Sequence, residues 1–217
     1  MQTMASRAAY DLWSETYPAE AHNPLMVAEE AAVAKHLATI RATCALDVGT
    51  GSGRYVRRLE ATGARTVIGA DLSLGMLRRN RSRHRLCADA LHLPLPSSRF
   101  DLVNASLIAG DIADLTVWIE ELARVLMPGG HLVYSDFHTA WDRHGWQRTF
   151  RTREGIECVL PRMSHQLDDH FSAIERAGLD MISADEVTVP MGRDPLRPWR
   201  RRAVPAAMVF HARKVRC

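Results

Sequence analysis

The stretch Leu46–Tyr55, LDVGTGSGRY, decides how the chain is read. An apolar run, TCALDV, ends there and breaks into a turn with Gly49, Gly51 and Gly53, after which a helical pattern continues to about Glu60. Strand, glycine turn and helix in that order form the corner where many α/β folds hold a nucleotide. The dinucleotide fingerprint GxGxxG needs its third glycine where this chain has Arg54, and the GK[ST] of a phosphate-cradling loop is absent. Asp47, ending the strand, would sit beside a bound cation and repel a pyrophosphate.

Two further acids sharpen the reading. Asp71 ends the next strand-like run, ARTVIGAD, where a carboxylate can accept from both ribose hydroxyls. Asp89-Ala90 follows a third short run, RLCAD, and sets a side-chain acceptor and a backbone N–H near an adenine edge. Adenine, ribose and a cationic amino-acid tail without phosphate describe S-adenosylmethionine. The glycines admit its methionine portion close to the backbone, since no Cβ intervenes.

Working outward, short apolar runs alternate with helical patterns, which predicts a parallel sheet with helices on both faces. LSLGMLRRNRSR reads as the helix after the second strand and FDLVNASLI as the fourth strand. In DLTVWIEELARVLM, Leu115, Trp118, Leu122 and Val125 fall on one helical face. Pro128-Gly129-Gly130 stops that helix and turns the chain into a fifth strand, HLVYSDF. About 25 residues from Thr139 onward lack clean periodicity, and loops of that length in a compact domain are usually functional. The helix DDHFSAIERAGL and two strand-like runs, MISADEVTVP and AAMVFHARK, complete the chain, the last two flanking an arginine-rich turn. Ahead of everything a helical segment presents Tyr10, Trp13 and Tyr17 as one stripe, with Trp13 expected to pack onto the domain.

The totals bound the function classes. The 217 residues suit one domain, and 47% hydrophobic with 24% charged residues is ordinary for a water-soluble globule. No run approaches a membrane span and the N-terminus has no secretory pattern. Cys44, Cys87, Cys158 and Cys217 are widely spaced without CxxC, which argues against sulfur-held metal and disulfides and suits a cytoplasmic setting. A net charge of +3 is too mild to imply a nucleic-acid partner, so the arginine runs Arg78–Arg85 and Arg193–Arg202 read as solvated surface. No feature indicates an oligomeric state.

LDVGTGSGR, VIGADLSLGML, CADALHLPL, FDLVNASL and ELARVLMPGGHLVYSDF together resemble the successive motifs of class I S-adenosylmethionine-dependent methyltransferases. More narrowly they resemble the bacterial group of ubiquinone/menaquinone C-methyltransferases and malonyl-acyl-carrier O-methyltransferases. The resemblance implies a Rossmann-like α/β fold: a seven-stranded, mostly parallel sheet, its last strand antiparallel, with an N-terminal helical cap. One domain would span 1–217, with the cap over 1–40 and a substrate-side insertion or lid over 138–165. It implies that Asp47, Gly49, Thr50, Gly51 and Gly53 line the methionine portion, and that Asp71 binds the ribose. Leu72 and Met76 would sandwich the adenine, whose edge Asp89 and Ala90 would read. Asn104, Ala105 and Ser106 would face the sulfonium, while Tyr17, with Tyr10, covers the cofactor. Relatives often carry a histidine pair where this chain has Gly110-Asp111, which removes a catalytic role from that loop.

The expected reaction is direct in-line transfer of a methyl group to a small-molecule acceptor. Trp141 and Trp146 are expected, with Phe150, as apolar walls of the acceptor site, with Tyr10 on the substrate side. His138 and His165 are the candidate general bases, because imidazole titrates near neutrality. No HExxH or comparable ligand spacing occurs, so no metal is expected. Rival readings are a nucleic-acid methyltransferase, a nicotinamide dehydrogenase and a non-catalytic S-adenosylmethionine-binding protein. Against the first, the fourth strand ends in NASL, not the [ND]PP[YF] that grips a flipped base.

Overall fold

A computed structural model describes residues 2–3, 5–18, 20–194 and 197–216. In chain order the elements are β1 (Gln2–Thr3), α1 (Ser6–Trp13), α2 (Pro24–Leu37), β2 (Cys44–Val48), α3 (Val56–Ala61), β3 (Thr66–Asp71), α4 (Leu74–Arg79), β4 (His84–Cys87) and β5 (Phe100–Ser106). There follow α5 (Leu115–Val125), β6 (Leu126–Phe137), α6 (Ala140–His144), β7 (Arg148–Arg151), β8 (Glu157–Leu160), α7 (Leu167–Arg176), β9 (Leu179–Asp194) and β10 (Arg197–Lys214).

The main sheet has seven strands in the order β4-β3-β2-β5-β6-β10-β9. Pairs from β4 to β6 are parallel, and β10 runs antiparallel to both its neighbours. β2 is buried along its whole length, as a central strand covered on both faces must be. Strand alternation divides the core. Leu132 and Tyr134 of β6 join the cluster under α5 and α7, whereas Val133 joins the one under α2 and α3. Leu115, Trp118, Leu122 and Val125 are all buried, as the helical face predicts. The chain leaves β2 toward β3 on one side and β5 on the other, so a crevice opens at the carboxyl ends of β2 and β5.

Several boundaries differ from expectation, each for a local reason. α4 stops at Arg79 and does not run through Arg83, because Asn80 turns inward and bonds to the glycine loop. Pro128-Gly129-Gly130 does not separate helix from strand: β6 begins at Leu126, and the three residues lie in a bulge where pairing jumps from Phe100–Leu126 to Leu102–His131. α1 ends at Trp13, so Tyr17 follows a turn outside the helix and reaches Trp13 edge-on at 4.7 Å between ring centroids. Trp13 itself stacks on Phe150 at 5.2 Å, the packing role expected of it.

The region expected to be irregular is built. α6 and the antiparallel pair β7–β8 fill it, and β1 adds in parallel to β8, with Gln2 opposite Cys158. The cap and the insertion thus share a second, three-stranded sheet. β9 and β10 continue into the Arg193–Arg202 run, which was expected as a turn; residues 195 and 196 and the side chains of 191–201 lie outside the described residues. In the other run, Arg79 donates to the Glu15 and Tyr17 carbonyls and Arg85 to those of Leu77 and Asn80. Among the described residues no helix is long and apolar enough to cross a membrane.

Candidate functional site

A cavity of about 540 Å³ opens at the carboxyl ends of β2, β3, β5 and β6, roofed by the N-terminal segment and by residues 147–149. That volume lies within the range of small-molecule sites. Its cofactor side is made by the β2–α3 loop, the end of β3 and residues 88–91.

The glycine loop is held from beneath. Asp47 is buried and off the wall, accepting from Thr50 Oγ1 and Asn104 Nδ2, each at 2.7 Å. Thr50 Oγ1 accepts in turn from Asn80 Nδ2 at 3.1 Å, and Asn80 also donates to the Gly51 carbonyl. Burial pushes the Asp47 carboxyl up to about 6 against these hydrogen bonds. Two glycines are required for distinct reasons. A Cβ on Gly53 (φ 91°) would stand 2.7 Å from Asn80 Oδ1, whereas at Gly51 (φ 53°) the same position faces open space. Gly51 is where a ligand can approach the backbone.

Asp71 Oδ2 accepts from Gly51 N and Oδ1 from Ser73 N, both at 2.8 Å. Each oxygen keeps a lone pair for a ribose hydroxyl. Burial raises the Asp71 carboxyl despite these two donors. Leu72 and Met76 stand on the wall beside it, with Asp89 and Ala90 further along. Asp89 Oδ1 already accepts from Leu91 N at 2.9 Å. Arg54 and Tyr55 close the other end of the loop, anchored to buried Glu29 of α2. Glu29 accepts from Tyr55 Oη at 2.6 Å, Arg54 Nη1 at 3.1 Å and Ser135 Oγ at 2.7 Å.

The cap is fastened at two points. Asp11 Oδ1 accepts from Ser73 Oγ at 2.6 Å and Gly75 N at 2.9 Å, and α1 lies so close that a Cβ on Gly75 would stand 2.5 Å from Ser14 Oγ. On the acceptor side Asp111 gathers Ser6 Oγ (2.9 Å), Tyr10 Oη (3.0 Å) and both Arg148 terminal nitrogens (2.9 and 2.7 Å). Burial and the Asp111 charge hold the Tyr10 hydroxyl well above its ordinary pKa. The Arg148 guanidinium lies 5.2 Å over the Phe137 ring and also bonds to the Pro161 carbonyl.

Of the predicted residues, Tyr10, Tyr17, Gly49, Thr50, Gly51, Asp71, Leu72, Met76, Asp89, Ala90, Ser106 and Trp141 meet on this wall. Asp47, Gly53, Asn104 and Ala105 do not; they stand behind it, Ala105 in the core. Trp146 stacks on His144 and meets Trp141 edge-on, and Phe150 is buried with Ala9, Cys158 and Leu160, so neither is a wall of the cavity. The two candidate bases are also off the wall. His138 Nδ1 accepts from Ala140 N and its Nε2 faces Glu186 at 3.4 Å; His165 Nε2 bonds to the Ile112 carbonyl at 2.9 Å. Arg148, Asn80, Glu29 and Asp11 were missed, since only the tertiary fold brings them in. Asp111 carried a signal, being an acid just past the strand that ends at Ser106. Among the described residues no group of three or more His, Cys, Asp or Glu is placed to hold a metal.

Residues 46–134 match the family described as a methyltransferase domain. The chain is 40% identical over 96 residues to the demethylmenaquinone methyltransferase of Corynebacterium urealyticum, covering 43% of this chain and 41% of that one. To the enzyme of the same name from Mycobacterium sp. (strain KMS) it is 36% identical over 123 residues, 55% of this chain and 51% of that one. The chain thus spans about half the length of the curated relatives it matches. The fold also matches the crystal structure of an S-adenosylmethionine-dependent methyltransferase from Mesorhizobium loti, with a TM-score of 0.65 and 24% identity, covering 86% of this chain and 98% of that one. With its seven-stranded sheet and the Gly49–Asp71 wall, the chain is a class I S-adenosylmethionine-dependent methyltransferase by fold and domain, of the quinone methyltransferase-like group.

Proposed function

We propose that the protein transfers the methyl group of S-adenosylmethionine in line to a small-molecule acceptor. One observation carries this reading: a single enclosed cavity joins the Gly49–Asp71–Asp89 wall to an aromatic end made by Tyr10, Phe137 and Trp141. The residues fit the cofactor. Gly51 leaves room at the backbone, Asp71 has acceptor capacity for the ribose, and Leu72 and Met76 offer apolar faces to the adenine. The bound cofactor supplies an already activated methyl group, so the chain needs no covalent nucleophile. Its own work is alignment. Holding two reactants in near-attack geometry supplies roughly 7–11 kcal/mol.

The N-terminal segment 1–40 and the insertion 138–165 serve in this reading as the roof that excludes water. Trp141 stands at the acceptor end and Trp146 supports it from outside, so Trp141→Ala should lower turnover more than Trp146→Ala. The decisive experiment is calorimetry with S-adenosylmethionine, S-adenosylhomocysteine and an adenine dinucleotide. Binding of the first two and not the third is expected. Heat with the dinucleotide alone overturns the proposal.

A further inference from the structure

The acceptor end of the cavity holds charged groups, yet none of them is free to take a proton. Asp111 is the one carboxylate there, and each of its oxygens accepts two hydrogen bonds, from Ser6 and Arg148 on one side and from Tyr10 and Arg148 on the other. Four donors fill the sites a carboxylate offers, and a paired guanidinium keeps it ionised. The Tyr10 hydroxyl gives its proton to Asp111 and accepts from Arg148 Nη1 at 3.2 Å. Asp71 lies at the ribose end with both oxygens on backbone amides. His138 and His165 face away, onto Glu186 and backbone groups. The rest of this end is apolar: Ile108, Ile112, Phe137 and Trp141.

We infer that the acceptor is an oxygen acid that enters this site already ionised, a carboxylate or an acidic phenol; the inference rests on the cofactor reading above. The step then balances without a base. A lone pair of the acceptor oxyanion forms the new O–CH₃ bond, the S–CH₃ pair returns to sulfur, and no proton is released. The positive charge of the sulfonium and the negative charge of the acceptor disappear together, which an apolar, water-poor site favours. A neutral alcohol would leave a proton on the product oxygen with no group to receive it. An amine would leave a positive charge among aromatic walls.

The test loads the full chain with a cofactor analogue in which an ammonium-bearing carbon replaces the sulfonium, and uses 4-nitrophenol as the probe. Its phenol and phenolate absorb differently, so a spectral titration from about pH 5 to about pH 9 reads which form is bound. Phenolate should bind at least about tenfold more tightly than phenol, the low end of what an opposite charge 4–6 Å away does to an acid. The preference should shrink when uncharged S-adenosylhomocysteine replaces the analogue. Equal or tighter binding of the phenol, or no probe bound by the loaded chain, overturns the inference. Loading is followed separately by calorimetry: a chain that takes up neither cofactor compound overturns the cofactor reading, and the inference falls with it.

Discussion

Asp71 commits one lone pair of each carboxylate oxygen to the backbone of the loops it joins, Gly51 on one side and Ser73 on the other. It therefore shapes the ribose site as well as filling it. Asp71→Ala should weaken S-adenosylhomocysteine binding by about 10- to 100-fold, the loss of one or two hydrogen bonds to a charged group, as measured by calorimetry. Asp47 works differently. Its carboxyl is raised by burial to about 6, from an ordinary value of 3.8, so between those pH values the folded chain binds more protons than the unfolded one. Stability from this group is fullest below about pH 4 and falls as pH rises through about 6. Asp47→Asn should remove that decline, a difference on the order of 2–3 kcal/mol between the two pH limits, read from urea midpoints. Both acids were legible in the sequence because strand ends and glycine turns fix their places locally. Their division of labour was not: Asp47 meets Asn104 across a strand pairing, and a contact 57 residues distant leaves no local trace.

At the scale of elements, α1 is held to α4 chiefly through one side chain. Asp11 accepts from the Ser73 hydroxyl and the Gly75 amide, which caps the first turn of α4 with a residue from another helix. Burial alone would raise its carboxyl, but these hydrogen bonds outweigh it and hold it below the usual range. The docking is thus present above the ordinary carboxylate pKa and is lost as pH falls through the lowered folded value. Asp11→Ala should raise amide hydrogen exchange across residues 5–18 by about 5- to 30-fold, the 1–2 kcal/mol of a lost cap, while β2 and β5 stay protected. The Asp111–Arg148 pair is the second fastening and is largely buried, the two side chains being 11% and 8% exposed. Asp111→Asn leaves a buried guanidinium half-paired and should cost about 3 kcal/mol; adding Arg148→Met should recover much of it in a double-mutant cycle. The helical stripe through Leu115 was readable because its period repeats within one element. β7 and β8 were not, being four residues each and completed by Gln2–Thr3 from the far end of the chain.

For the molecule as a whole, the sheet of seven strands followed from the alternation of apolar runs and helical patterns, since each βα unit signals itself within about 30 residues. The roof had no such signal, because it is assembled from the two regions most separated in sequence, the cap and the insertion. That assembly has a thermodynamic consequence. The cavity draws walls from α1, the β2–α3 loop, β3, β5, the end of β6 and β7, so a ligand filling it touches both the main sheet and the roof. A ligand that binds only the folded chain stabilises it by about 2.7 kcal/mol at one hundred times its dissociation constant. For a chain of 217 residues that corresponds to a rise in melting temperature of about 5–10 °C. S-adenosylhomocysteine should produce this shift as one cooperative transition when followed by both tryptophan fluorescence and circular dichroism. Trp13 and Trp141 lie in the roof region while far-ultraviolet ellipticity reports mainly the sheet and helices, so the two probes sample different parts. If the roof and the sheet were independent, the fluorescence midpoint would move and the ellipticity midpoint would not. Coincident midpoints that rise together with ligand concentration are the expected result. They require that Asp11 and Asp111 tie the roof to the sheet tightly enough for the two to melt as one.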